Sequence, residues 1–226
     1  MNDGATWVDE LGFHKRHPTA KAARAALQRS AAARLAHVRT PAARSGSEPV
    51  ELIFDRIESD GAPPLADMLA ALHPLHRMKH RGLMRFDPFA RILPRLTDAP
   101  PAILARVADL LAQDRALNWP INHVIHGDFH PGQVLRDRQG RVWLIDLDDL
   151  ALGPVEADLG NLAAWMATQA PGPLADLSAQ AQALVIGATA VSDQTLLAHF
   201  HDIALIRRAL KLRERGEDWA LRQLLP

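Results

Sequence analysis

Two apolar-rich runs, residues 133–136 (QVLR) and 142–145 (VWLI), flank the polar, glycine-containing stretch 137–141 (DRQGR). Short extended runs around such a turn predict a β-hairpin. No other stretch constrains the chain as much, because hairpin register decides which side chains meet. With the turn centred near Gln139 and Gly140, Gln133 falls opposite Asp146 to within about a residue. Asp128 lies on the loop entering the first strand and reaches the same end of the hairpin. Three oxygen-bearing side chains then converge where a hard cation would sit.

Phosphoryl transfer from ATP asks for such a set. One carboxylate orients the attacking hydroxyl and accepts its proton, a role suited to Asp128. Magnesium takes oxygen ligands and keeps several waters, so one carboxylate and one amide oxygen suffice, a role suited to Asp146 and Gln133. Beyond that, catalysis is placement and charge neutralisation.

The rest of the chain sets the frame. Its 226 residues are 48 % apolar, enough to build a real core. A formal net charge of +0 implies no attraction to nucleic acid or anionic membrane. There is no cysteine, which fits a reducing compartment and excludes disulfides and thiolate metal sites. No run approaches the roughly 20 apolar residues of a membrane span, and the first residues lack a signal-peptide core. The expectation is a soluble, cytoplasmic protein. Its oligomeric state has no sequence signature.

Residues 7–14 read as one short strand, 20–37 as an alanine-rich helix, 40–49 as a loop and 50–57 as a strand. The stretch 59–64 (SDGAPP) reads as a linker and marks a boundary. Helices are expected over 65–78, 101–116, 159–168, 174–188 and 194–215. The organisation expected is a small mixed lobe, residues 1–58, and a mainly helical lobe, residues 59–226.

His126-Gly127-Asp128-Phe129-His130-Pro131-Gly132-Gln133, then Ile145-Asp146-Leu147-Asp148, then Gly153-Pro154 and Asp158-Leu159, resembles the aminoglycoside phosphotransferase and choline kinase group. The resemblance covers about 35 residues in order and spacing. It implies an α+β, protein-kinase-like fold and an ATP- and magnesium-dependent small-molecule kinase whose acceptor is a hydroxyl. Through it Asp128 is the catalytic base and Asp146 the main magnesium ligand, with Gln133 in the metal-ligand place usually held by asparagine. Lys15, in Phe13-His14-Lys15-Arg16-His17, matches the lysine that binds the α/β-phosphates. Residues 57–60, with Ile57 and Glu58, match the adenine-binding segment. Two parts depart from the pattern. No glycine-rich phosphate-covering hairpin fits before Lys15, and the helix after it has no Asp or Glu to pair with that lysine. The N-terminal lobe therefore reads as reduced.

Other readings stand beside these. His126 reads as a buried imidazole serving the loop, and His130 as a contact to substrate or phosphate or as a solvated loop histidine. Asp148 assists the metal or holds its loop by hydrogen bonds. Asp158, just before an apolar run, reads as a helix N-cap. The acceptor is expected near His130, Asp149 and the residues from Trp165 onward. A nucleotide-binding pseudokinase without turnover is the alternative function. The alternation His126-x-Asp128-x-His130 also admits a zinc-dependent hydrolase.

Overall fold

The computed structural model describes residues 5–79, 82–189 and 193–225. Strands β1 (Thr6–Asp9) and β2 (Gly12–Arg16) pair antiparallel, with Trp7 opposite His14. The stretch expected as one strand is thus a hairpin. Its turn carries none of the usual Asn-Gly or Asp-Gly signals. Instead Asp9 Oδ1 accepts from Leu11 N at 2.7 Å, and Gly12 takes φ +142°. A Cβ on Gly12 would lie 2.3 Å from the Phe54 carbonyl oxygen, so the turn depends on glycine both for its dihedral and for its space.

Helix α1 (Ala20–Leu35) starts where Thr19 Oγ1 accepts from Ala22 N at 3.1 Å, a side-chain N-cap. It ends two residues before the expected limit, and His37 then turns to φ 62°. β3 (Ala43–Ser45) lies inside the segment expected as a loop and pairs antiparallel with β4 (Glu51–Phe54). The sheet order is β1-β2-β4-β3. Ala23, Ala26 and Leu27 of α1 pack against Leu52 and Phe54 of β4, and the small alanines let the helix approach closely. α2 (Leu65–His76) buries Met68, Leu69, Leu72 and Leu75 on one face.

Further along, α3 (Pro101–Leu117) is followed by β5 (His123–Ile125), β6 (Val134–Arg136), β7 (Val142–Leu144) and β8 (Ala151–Gly153). α4 (Val155–Ala167), α5 (Leu174–Ala188), α6 (Gln194–Arg213) and α7 (Trp219–Gln223) complete the described chain. The β6–β7 hairpin forms with Val134 opposite Leu144. Ile145 N donates to Gln133 O at 3.0 Å, so Gln133 lies one place from the expected partner Asp146. α4 begins four residues earlier than expected, which puts Asp158 inside the helix and makes Pro154 the N-cap.

The chain forms two compact units. One comprises Met1–Leu83 with Pro131–Leu150, the other Met84–His130 with Ala151–Pro226. The first therefore runs past residue 58 and includes the β6–β7 hairpin. Within it Leu144 N donates to Arg39 O at 2.8 Å, and Asp60 N donates to Arg136 O at 2.7 Å. The segment at Ser59 and Asp60, expected as a linker, is an extension along the edge of β6. In the second unit β5 pairs with β8, and α4 is buried around almost its whole circumference. Gly160 of α4 faces α6 so closely that a Cβ would meet His201 N at 2.6 Å. Mixed strands and helices make the molecule α+β. Among the described residues no helix is long and apolar enough to cross a membrane.

Candidate active site

In the first unit β2 alternates its side chains, so Phe13 and Lys15 share one face while His14 points to the other, toward Glu51. That first face lines a cavity of about 430 Å³, within the usual range for small-ligand sites. Its walls are apolar, with Val8, Ala26, Phe54, Ile57, Leu135 and Ile145. Its polar side chains include Lys15, Gln133, Asp146 and Asp148. Lys15 Nζ lies 2.6 Å from Asp146 Oδ1 and 2.7 Å from Asp148 Oδ2. Burial alone would lower the Lys15 ammonium, but the Asp148 and Asp146 carboxylates outweigh it and raise its pKa above the ordinary lysine value.

Asp146, two residues past the end of β7, has φ 58° and ψ 56°, a left-handed backbone that aspartate tolerates better than most residues. This turn aims its carboxylate at both Lys15 and Gln133, whose Nε2 lies 3.4 Å from Asp146 Oδ2. α1 supplies no acid to Lys15. It supplies Arg29, whose guanidinium donates to the carbonyl of Asp148. His17 Nδ1 stands 3.6 Å from the same Asp148 carboxylate, and burial holds its pKa below the ordinary histidine value.

In the second unit the loop after β5 is fastened from α4. Asp158, fully buried, accepts from His126 N at 2.8 Å and from Gly127 N at 2.9 Å. Asn161, one turn on, donates to Phe129 O at 2.7 Å. These bonds fix the backbone on either side of Asp128. The Asp128 carboxylate receives Arg91 at 2.6 Å on Oδ2 and Arg207 at 2.8 Å on Oδ1. Burial would raise its pKa, yet Arg207 and Arg91 pull it down to about 2. His130 lies parallel to Trp165, with ring centroids 6.2 Å apart and planes 2° off parallel. Burial, aided by Arg208, His126 and Lys211 against the pull of Asp128, takes its pKa down to about 4.

The structure thus brings Lys15, Ile57, Gln133, Asp146 and Asp148 to one cavity. Glu58 is not among its lining residues and pairs instead with Arg138 at 3.0 Å. Asp128, His126 and His130 belong to the other unit. His126 is fully buried, in edge contact with Phe129. The sequence reading missed Arg91 and Arg207, which lie 37 and 79 residues from Asp128. It also missed Asn161, for which a signal existed: Asp158 and Asn161 are three apart on a helix and must share a face.

A family model described as the phosphotransferase enzyme family matches residues 13–191. No curated protein sequence matches. Among solved structures, the choline kinase LicA from Streptococcus pneumoniae is 15 % identical. That match covers 99 % of this chain and 87 % of the other, with a TM-score of 0.66. An aminoglycoside phosphotransferase, APH(3'')-Id from Streptomyces rimosus, is 18 % identical over 90 % of this chain and 92 % of its own, with a TM-score of 0.59. The macrolide 2'-phosphotransferase MphH from Brachybacterium faecium is 17 % identical over 99 % and 88 %, with a TM-score of 0.55. The first of these has also been solved with AMP, and the second with ADP and streptomycin. At such identities the likeness shows the fold, which is protein-kinase-like.

Proposed function

Because the chain belongs to the phosphotransferase enzyme family, we propose that it transfers the γ-phosphoryl group of ATP to a hydroxyl of a small molecule, with magnesium. The observation that carries this reading is the cavity of the first unit, apolar along its walls with Lys15, Gln133, Asp146 and Asp148 among its lining residues. An adenine suits the apolar part, beside Ile57, and phosphates suit Lys15. The donor set fits a hard cation. Asp146 offers a carboxylate, and the Gln133 amide beside it presents its oxygen once turned over. Magnesium held there would supply neutralising charge to the phosphate oxygens.

Asp128 then orients the acceptor hydroxyl and accepts its proton. A carboxylate with pKa about 2 is a weak base. That is adequate where the transition state is loose and the proton leaves late. Arg91 and Arg207 hold the carboxylate in one orientation, the positioning that this chemistry chiefly needs. An ATP-using chain without cysteine suits a cytoplasmic location.

The test is an ATP-consumption screen over hydroxylated compounds, with Asp128→Ala as control. Acceptor-dependent turnover that vanishes in Asp128→Ala is expected. Turnover that survives the substitution would overturn the mechanism. A nucleotide-binding protein without turnover is the second reading. It is favoured by the acid-free α1, which leaves Lys15 paired with Asp146 itself. Measurable Mg–ATP binding with no acceptor turned over would support it. A zinc hydrolase lacks a ligand set: among the described residues no three His, Cys, Asp or Glu side chains are grouped to hold a metal.

A further inference from the structure

The acceptor side of the second unit carries more positive charge than its one reacting carboxylate needs. Arg91 and Arg207 already meet Asp128. Beyond them, Arg208 and Lys211 also lie within electrostatic range of that carboxylate, and Arg215 within range of both. Among the described residues no carboxylate forms an ion pair with Arg208 or Lys211. Arg208 is held in place: its Nε donates to Thr168 Oγ1 at 2.7 Å, and its guanidinium carbon stands 5.9 Å from the centre of the Trp165 ring. Lys211 is exposed one helical turn further on.

Arg207, Lys211 and Arg215 follow one another at intervals of four along and just past α6. Arg207 and Lys211, both on α6, repel each other at that spacing, while Arg215 lies past the C-cap Glu214. Burial, with a smaller repulsion from neighbouring cations, lowers Arg208 to about 10, and partial burial with the same repulsion lowers Lys211 against the pull of Asp128. Such a cluster repels a polycationic acceptor and attracts an oxyanion.

Resting on the phosphotransferase reading, we propose that the acceptor is a hydroxylated small molecule bearing a carboxylate or phosphate, which Arg208 and Lys211 receive while its hydroxyl faces Asp128. Arg208 supplies a planar donor fork and Lys211 a mobile ammonium at the rim. The parallel His130 and Trp165 rings offer an apolar wall for the carbon skeleton.

Two measurements on the full chain test this. The first is a turnover screen with gluconate and glycerol 3-phosphate as anionic probes, sorbitol and glycerol as neutral ones, and choline and streptomycin as cationic ones. The anionic set is expected to be preferred by about tenfold or more in kcat/KM. Preference for the neutral or cationic set would overturn the proposal. The second is equilibrium binding of the same anionic probes, which needs no chemistry. Lys211→Glu is expected to weaken it about tenfold, while Arg24→Glu, an equal charge change on α1, leaves it unaltered. Anionic probes that bind no better than their neutral counterparts, or equally well to Lys211→Glu, would refute it. Anion binding that depends on Lys211 with no turnover of any acceptor would uphold this inference and defeat the phosphotransferase reading.

Discussion

Replacing Asp158 by asparagine isolates what the buried carboxylate of α4 does for the loop that carries Asp128. The two Asp158 oxygens accept from two successive backbone amides, His126 N and Gly127 N, at 2.8 and 2.9 Å in a fully buried setting. Asparagine keeps the shape and one acceptor, but turns the other oxygen into a donor facing a donor. One hydrogen bond to a carboxylate is lost, about 1.5–3 kcal/mol, and a buried N–H is left unsatisfied, about 1–3 kcal/mol. A net loss of about 3–5 kcal/mol is expected, a large share of the roughly 5–15 kcal/mol that holds a domain together. Asp158→Ala should lose more, since both amides are abandoned. The assay is urea unfolding followed by tryptophan fluorescence, in which the midpoint falls at unchanged slope. In buffer, where the variant remains folded, phosphotransfer should fall more than Mg–ATP binding, because the loosened loop carries Asp128. An unfolding free energy within about 0.5 kcal/mol of the parent would show that the two amides find other partners, and would refute the reasoning.

Three further outcomes follow from the same geometry. Gly12→Ala forces a Cβ to 2.3 Å from the Phe54 carbonyl at a φ of +142°, and should destabilise the first unit by about 2–4 kcal/mol, read as a lower denaturant midpoint. Lys15→Met removes the cation paired with Asp146 and Asp148, and should cut phosphotransfer by about a hundredfold with weaker Mg–ATP binding, measured by coupled assay and calorimetry. The His130 ring, at about pKa 4, should remain neutral through pH 6 by NMR titration, and stability should decline as pH falls from about 6.5 toward 4, where the unfolded chain takes up the proton more readily than the folded one.

The hairpin was legible because strand alternation and a glycine turn are local signals. Its observed register, with Gln133 level with Ile145, lies within the one-residue margin of the level expected. Helix α5 was legible end to end, since its buried Leu174, Ser178, Ala181 and Val185 repeat at helical spacing. The β1–β2 turn was not, because the reason Gly12 must be glycine is the Phe54 carbonyl, 42 residues away and across a sheet. β3 was hidden by Pro41, Ser45 and Gly46, turn-forming residues that here lie in or beside a short edge strand. Asp158 looked like a cap because aspartate before an apolar run usually is one. What places it inside the helix is the need of two distant amides for a buried acceptor.

The acid-free α1 shows how a missing sequence element is answered by its neighbours. A lysine buried without a counter-charge would lose its proton readily. Lys15 keeps its charge because Asp146 and Asp148 follow the end of β7 and meet it together. α1 still serves this pair, with reversed polarity: its Arg29 holds the backbone carbonyl of Asp148 and so fixes the short turn that presents both carboxylates. Lys15 is therefore positioned by the residues proposed to hold the metal. Loading a cation at Asp146 would draw that carboxylate away from the ammonium and free Lys15 for a phosphate, so metal and nucleotide would bind cooperatively. A lysine paired with a glutamate on α1 would lack that coupling.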